Sequence, residues 1–252
     1  MTRTRKTTVQ VIAVFVLVGL WQAEAWFGLV DRMVLPSALT VFERIIQETT
    51  RGDLLPQIWA SMQRAYAGFA IGGSAGLLLG MAAGWNRTVA SAIRTPLELI
   101  RPIPPLAWIT LAIIWFGIDD GSKVFVIAMA AFFPVFTSAE RGVRTIDPVL
   151  IRAATTLGRT RWRLVYEVVL PAAAPELATG IKVAWSWSFA ALVASELLAA
   201  QSGLGFLINQ GRINGDFSLI VASVLVIAML ALLSDQLFRA IALGRYLRWI
   251  AP

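Results

Sequence analysis

Tyr66-Ala67-Gly68-Phe69-Ala70-Ile71-Gly72-Gly73-Ser74-Ala75-Gly76-Leu77-Leu78-Leu79-Gly80-Met81-Ala82-Ala83-Gly84-Trp85 is a run of 20 residues without one charged side chain. An α-helix of that length is about 30 Å long, the thickness of a bilayer's hydrocarbon core. Amides and carbonyls in lipid must be paired within their own segment, so the stretch reads as a transmembrane helix. Five of its glycines, Gly68, Gly72, Gly76, Gly80 and Gly84, recur at a strict interval of four. Each step advances about 40° around the helix, and the five make a slowly winding groove. Small residues let a second helix come close enough for dispersion to act where no hydrophobic effect operates. The groove either packs inside a bundle or gives a moving helix a surface to slide on; both need close approach.

Outward from this stretch, residues 9–30, 97–118, 124–139, 177–200 and 219–238 are similarly apolar, the 124–139 run being short and open to extension at either end. Of the 252 residues 58% are apolar and 15% charged, with mean hydropathy +0.71. A soluble domain has roughly 45–50% apolar and about 25% charged residues. Alternating strands of a membrane barrel do not occur. The fold class is an all-α polytopic membrane protein of about six transmembrane helices, one transmembrane domain over residues 1–252. Arg3, Arg5 and Lys6 precede the first run, and Ala23-Glu24-Ala25 mimics a signal-peptide cleavage site. The run continues through Trp26 with only Glu24 interrupting it, so a retained first helix is expected.

The chain has neither cysteine nor histidine. That excludes disulfides, thiol nucleophiles, histidine triads and the usual zinc sites. No Gly-x-x-x-x-Gly-Lys-Ser/Thr loop occurs: Gly117-Ile118-Asp119-Asp120-Gly121-Ser122-Lys123 has the wrong spacing and follows no strand. The chain is expected to bind no cofactor or metal and to perform no catalysis itself. The net charge of +7 resolves by side. With the N-terminus cytoplasmic, 16 Lys and Arg fall inside. The 6 outside are Arg32, Arg44, Arg51, Arg64, Lys123 and Arg212. The excess is therefore an orientation signal with both termini cytoplasmic, and no nucleic-acid signature.

Two connections are too long to be mere loops. In 31–65, Pro36-Ser37 marks a helix start, and Leu39, Val41, Phe42, Ile45 and Ile46 give the pattern of a helix lying on the membrane surface. In the cytoplasmic segment 140–176, Leu150, Ile151, Ala154 and Leu157 recur at helical spacing among Pro148, Pro171 and Pro175. Ile151 to Leu157 reads as a short helix stopped by Gly158, followed by a second short segment closed by Pro171. With Arg159, Arg161 and Arg163 exposed beside Trp162, such a protrusion docks on a soluble partner or lies against anionic lipid.

Three prolines in Arg101-Pro102-Ile103-Pro104-Pro105-Leu106-Ala107-Trp108 force a helix to break or begin there. A break at membrane depth survives only where protein or a water-filled cavity covers it. The segment is a plain helix start or a kinked lining of a pathway, with Pro104, Pro105 and Trp108 as its candidates. Glu196 is the one clear ionisable residue inside a span, with Trp185, Trp187 and Ser188 below it. It reads as a hydrogen-bonding or gate residue facing the bundle interior. The deep spans lack a central Lys or Arg, so an anion would cross a neutral, weakly binding path. A secondary transporter or channel would show inverted repeats and more intramembrane titratable groups; neither stands out.

The spacing Arg152-Ala153-Ala154, Gly158, Leu170-Pro171 resembles the EAA loop of bacterial ABC importer permeases, with Arg152 where the motif's name has Glu. The chain is also similar to the branch importing taurine, aliphatic sulfonates and nitrate, and most to taurine permeases. That likeness is carried by residues 101–108, Trp115-Phe116-Gly117-Ile118, Ile151 to Ala154 and Gly203-Leu204-Gly205-Phe206. The resemblance implies a type I ABC importer permease fold in the bacterial inner membrane. It implies a pair of permease copies with two cytoplasmic ATPases that hold ATP and Mg, and a periplasmic or lipid-anchored binding protein. ATPase closure would push on Arg152, Ala153, Ala154, Leu157, Gly158, Arg159, Arg161, Trp162, Leu170 and Pro171.

Overall fold

The computed structural model describes residues 3–28, 31 and 34–246. It is helical from end to end, and among the described residues there is no strand. In order come α1 (Arg3–Phe27), α2 (Ala38–Thr50), α3 (Leu54–Trp85) and α4 (Arg87–Ile100). A 3-10 turn (Pro105–Trp108) leads into α5 (Ile109–Phe116), then α6 (Asp120–Arg144), α7 (Pro148–Thr156) and α8 (Arg161–Leu164). A π turn (Val165–Val169) joins α8 to α9 (Leu170–Ala199), and α10 (Leu204–Asn214) and α11 (Phe217–Tyr246) close the chain.

The helix starts follow local chemistry. Ser37 caps α2, its Oγ accepting from the Thr40 amide at 3.2 Å. Asn86 caps α4, with Oδ1 accepting from Thr88 N at 2.8 Å, and Asp147 caps α7 by accepting from Val149 N at 2.8 Å. Each satisfies an amide that the first turn would otherwise leave open.

Among the described residues four helices are long and apolar enough to cross a membrane, or five if the bent pair α4 and 105–116 is one span. The run 66–85 lies in α3, which begins at Leu54 and at ~1.5 Å per residue is about 48 Å long. Pro56 and the scattered Gln57, Ser61, Gln63 and Arg64 hid the start, because hydropathy detects fit to lipid and not helicity. The runs 124–139 and 219–238 lie within α6 and α11, and 177–200 lies in α9 except for Ala200, its C-cap. Residues 29 and 30 of the first run lie outside the described residues.

Two expectations are corrected. Residues 97–118 are not one helix: α4 ends at Ile100, and the chain turns by 85° before 105–116. Pro102, Pro104 and Pro105 supply no amide donor, and Pro105 holds Pro104 extended at φ −56, ψ 137. The second correction concerns 140–176, which is mostly continuous with its flanking helices. α6 runs to Arg144, and helix resumes at Arg161. Pro171 does not close a segment there. The π turn just before it widens the backbone, the Leu170 amide bonding to Val165 O, so the missing donor of Pro171 breaks nothing.

The chain forms two compact units. The first comprises 1–60 and 202–228. There the Trp21 indole donates to Pro36 O at 3.1 Å, and Val41 and Ala38 are buried while Leu39, Phe42 and Ile46 form the exposed face of α2. Arg44 reaches Asp216 at 2.9 Å, and the Gly203 amide donates to Gln57 Oε1. The second unit, 61–201 and 229–252, is built on α6. Its packing against α9 is close because Gly142 faces Ala173, and Gly180 faces Ser138 and the Pro134 carbonyl.

Candidate functional site

The glycine groove of α3 lies against α6. A Cβ on Gly76 would sit 2.6 Å from Phe132 O, and one on Gly80 2.5 Å from Phe136 O. Gly84 would meet Val143 Cβ at 2.7 Å, Gly68 the Ile127 side chain, and Gly72 the backbone of Ala128. Backbone cannot move aside as a flexible side chain can, so these positions admit no larger residue.

Above the groove lies a buried charge network within the second unit. Glu196 is 1% exposed and accepts from Ser61 Oγ at 2.8 and 2.9 Å and from Arg64 Nη1 at 2.8 Å. Arg64, 5% exposed, also binds Asp120 through Nε at 2.7 Å. Nearby Lys123 is buried and donates to the carbonyls of Ile118 and Asp119 at 2.7 and 3.1 Å. It thereby binds carbonyls of the connection between α5 and α6, where Asp119 O also accepts from Ser122 Oγ at 2.9 Å. Glu196 does face the interior, and Arg64 and Lys123 are not loop cations but buried residues toward the N-terminal ends of α3 and α6. Arg64 stands four residues before Gly68, in the register of the groove. That register is the signal by which the sequence could have given it away.

Other path candidates separate. Trp185 is buried among Tyr66, Phe69 and Phe189, with ring centroids 5.0–5.2 Å away, and Ser188 is fully buried with its Oγ on Ala184 O. Trp187 is exposed on the same helix. At the proline break Pro104 is exposed and Pro105 partly buried, while the indole nitrogen of Trp108 is buried without a hydrogen-bond partner. No group of three or more Asp or Glu among the described residues is arranged to hold a metal ion.

α7 is a short, finished helix. Pro148 occupies its first position, where a missing amide costs nothing. Gly158 follows it in the left-handed conformation at φ +79. The Arg159 amide returns to Ala154 O and the Gly158 amide to Thr155 O, both at 3.0 Å, which is a Schellman stop. Ala154 is buried against Leu164, Val169 and Ala173, fixing the helix to the start of α9. The other side is bare: Leu157 is 81% and Trp162 74% exposed, with Tyr166 beside Trp162. Arg152 and Ala153 are exposed too, and Arg159 pairs with Glu167 at 2.9 Å. Leu170 is partly buried and Pro171 exposed at the start of α9. The side chain of Arg161 lies outside the described residues. Large apolar side chains exposed around cations form a surface suited to covering by a partner. Behind it, Arg94 of α4 pairs with Glu140 of α6, and Arg144 lies 3.8 Å from the same carboxylate.

The pattern of the binding-protein-dependent transport system inner membrane component family matches residues 76–243. The taurine transport system permease protein of Escherichia coli is 34% identical over 245 residues, 94% of this chain and 88% of the relative. A "Probable ABC transporter permease protein" of Brucella melitensis is 36% identical over 208 residues, 82% of this chain and 85% of the relative. The nitrate import permease protein of Leptolyngbya laminosa is 29% identical over 243 residues, 94% and 87% of the two chains. With apolar helices of spanning length and these relatives, the chain belongs to the family of binding-protein-dependent transport system inner membrane components, the multi-pass permease subunits of ABC importers.

Proposed function

We propose that this permease imports taurine or a related small sulfonate. The supporting observation is the taurine relative, whose likeness extends over 94% of the chain. Two copies form the path as a homodimer, two ATPase subunits bind ATP and Mg and hydrolyse the nucleotide, and a periplasmic or lipid-anchored binding protein delivers substrate. Both termini are cytoplasmic, so α7 and the exposed Leu157 and Trp162 face the ATPase. Closure of the ATPase pair then pushes on residues 152–171 and, through α9, on the buried Glu196 end of the second unit.

The test is uptake into proteoliposomes holding the permease, its ATPase and its binding protein. Taurine should accumulate only with ATP, and an excess of alkanesulfonate should compete better than nitrate. Uptake that persists without the ATPase subunit would identify a secondary transporter or channel instead.

A further inference from the structure

Within the first unit a cavity of about 340 Å³ opens between the end of α2, the start of α3 and α10. That volume is at the small end of ligand-holding cavities. Its charged lining is Arg44, Arg51, Glu48, Asp53 and Asp216, with buried Leu207 and Leu219 as apolar wall. Most of that charge is committed. Arg44 binds Glu48 at 3.2 Å and Asp216 at 2.9 Å, so these three neutralise one another apart from one negative charge. Arg51 is 60% exposed and meets a carboxylate only at 3.9 Å. Among the described residues the Asp53 carboxylate makes no hydrogen bond or ion pair, and neither do the amides of Gln210 and Asn214. Among the described residues the cavity therefore presents one guanidinium held only by a long ion pair to Glu48 and one carboxylate without an ion pair, separated by Gly52 alone.

We propose that this cavity is a low-affinity holding site for a small zwitterion, its sulfonate or carboxylate end on Arg51 and its ammonium end near Asp53. A bare anion such as nitrate meets Arg51 but gains nothing from Asp53 and is repelled by the surplus carboxylate. Guanidinium suits a sulfonate because its fixed fork of donors matches two oxygens at once. Largely exposed groups bind weakly, as a site that must release its solute requires. The charge count places 31–65 outside the membrane, so the site would receive solute set free by the binding protein. The inference rests on the proposed substrate class.

The experiment uses the purified permease–ATPase complex without binding protein, titrated with radiolabelled taurine. Saturable, weak binding is expected, displaced by unlabelled taurine and not by nitrate. Arg51→Gln and Asp53→Asn should each weaken it about tenfold, or ~1.4 kcal/mol. Both side chains are largely exposed, and gel filtration of each complex checks that it remains assembled. Absent binding to the unaltered complex, or binding unchanged in both variants, overturns the inference. In a parallel pull-down with the binding protein added, loss of its association in variants whose taurine affinity is unchanged also overturns the inference and would make the cavity a protein-docking surface. If the unaltered reconstituted system imports no taurine, the substrate reading fails; if it does and the variants bind normally, only the cavity proposal fails.

Discussion

Arg64 joins two carboxylates in opposite surroundings, Glu196 with a side chain 1% exposed and Asp120 with one 67% exposed. Removing one member of a buried pair leaves the other charge uncompensated, at a cost of about 3–5 kcal/mol. Glu196→Gln should fall at the low end, because Asp120 still neutralises Arg64 and Ser61 can still bond the amide. Arg64→Met should cost more, because Glu196, 1% exposed, loses the guanidinium that it accepts from at 2.8 Å. Thermal unfolding of the detergent-purified protein measures both, and the double variant Arg64→Met/Glu196→Gln should lose less than the sum. Strict additivity would show that the two side chains do not act as a pair. From the sequence Glu196 was recognisable because a carboxylate stands out in an apolar run. Arg64 was not, since it precedes the uncharged stretch and hydropathy assigned it to a loop. Only the fold shows it ten residues into α3.

Two elements depend on glycine for different reasons. At Gly72 the limit is space: a Cβ would collide with the Ala128 backbone, so Gly72→Leu should push α3 off α6. Overpacking of this kind costs about 1–3 kcal/mol or more, and the variant should accumulate poorly in the membrane by immunoblot. At Gly158 there is open space around the position, and the limit is its backbone φ of +79. Gly158→Val should unwind the Schellman stop, while Gly158→Asn, which tolerates that conformation, should keep it. Co-purification of the ATPase subunit should be lost in the first and largely retained in the second. Equal recovery of ATPase in both would remove α7 from the docking surface. The stop at Gly158 was legible because Ile151 to Leu157 carries helical spacing and glycine ends it. The role of Pro171 was misread: proline predicts a break, and no one-dimensional signal announces the π turn that absorbs it. Likewise three prolines announced disruption at 102–105, but not a turn of 85°.

For the whole molecule, charge placement and apolar runs were enough to read a multi-pass helical membrane protein, because lipid allows few architectures; the permease reading came from the resemblance carried by Arg152-Ala153-Ala154, Gly158 and Leu170-Pro171. Polar helix ends were less legible, since water satisfies helix and loop alike. The absence of cysteine makes sidedness directly measurable. Single variants Thr50→Cys and Trp162→Cys should react with an impermeant maleimide from opposite faces of intact cells and inverted vesicles. Labelling of both from the same face would reject the proposed topology.

From Trp162 to Glu196 the backbone never leaves helical conformation. The 34 steps between them measure about 51 Å at ~1.5 Å each. A continuous rod of this kind has no slack: force applied at one tip arrives at the other as tilt or twist, with little lost to loop compliance. The π turn Val165–Val169 lies at the Trp162 end, so from Leu170 to Glu196 the shaft is uninterrupted α-helix.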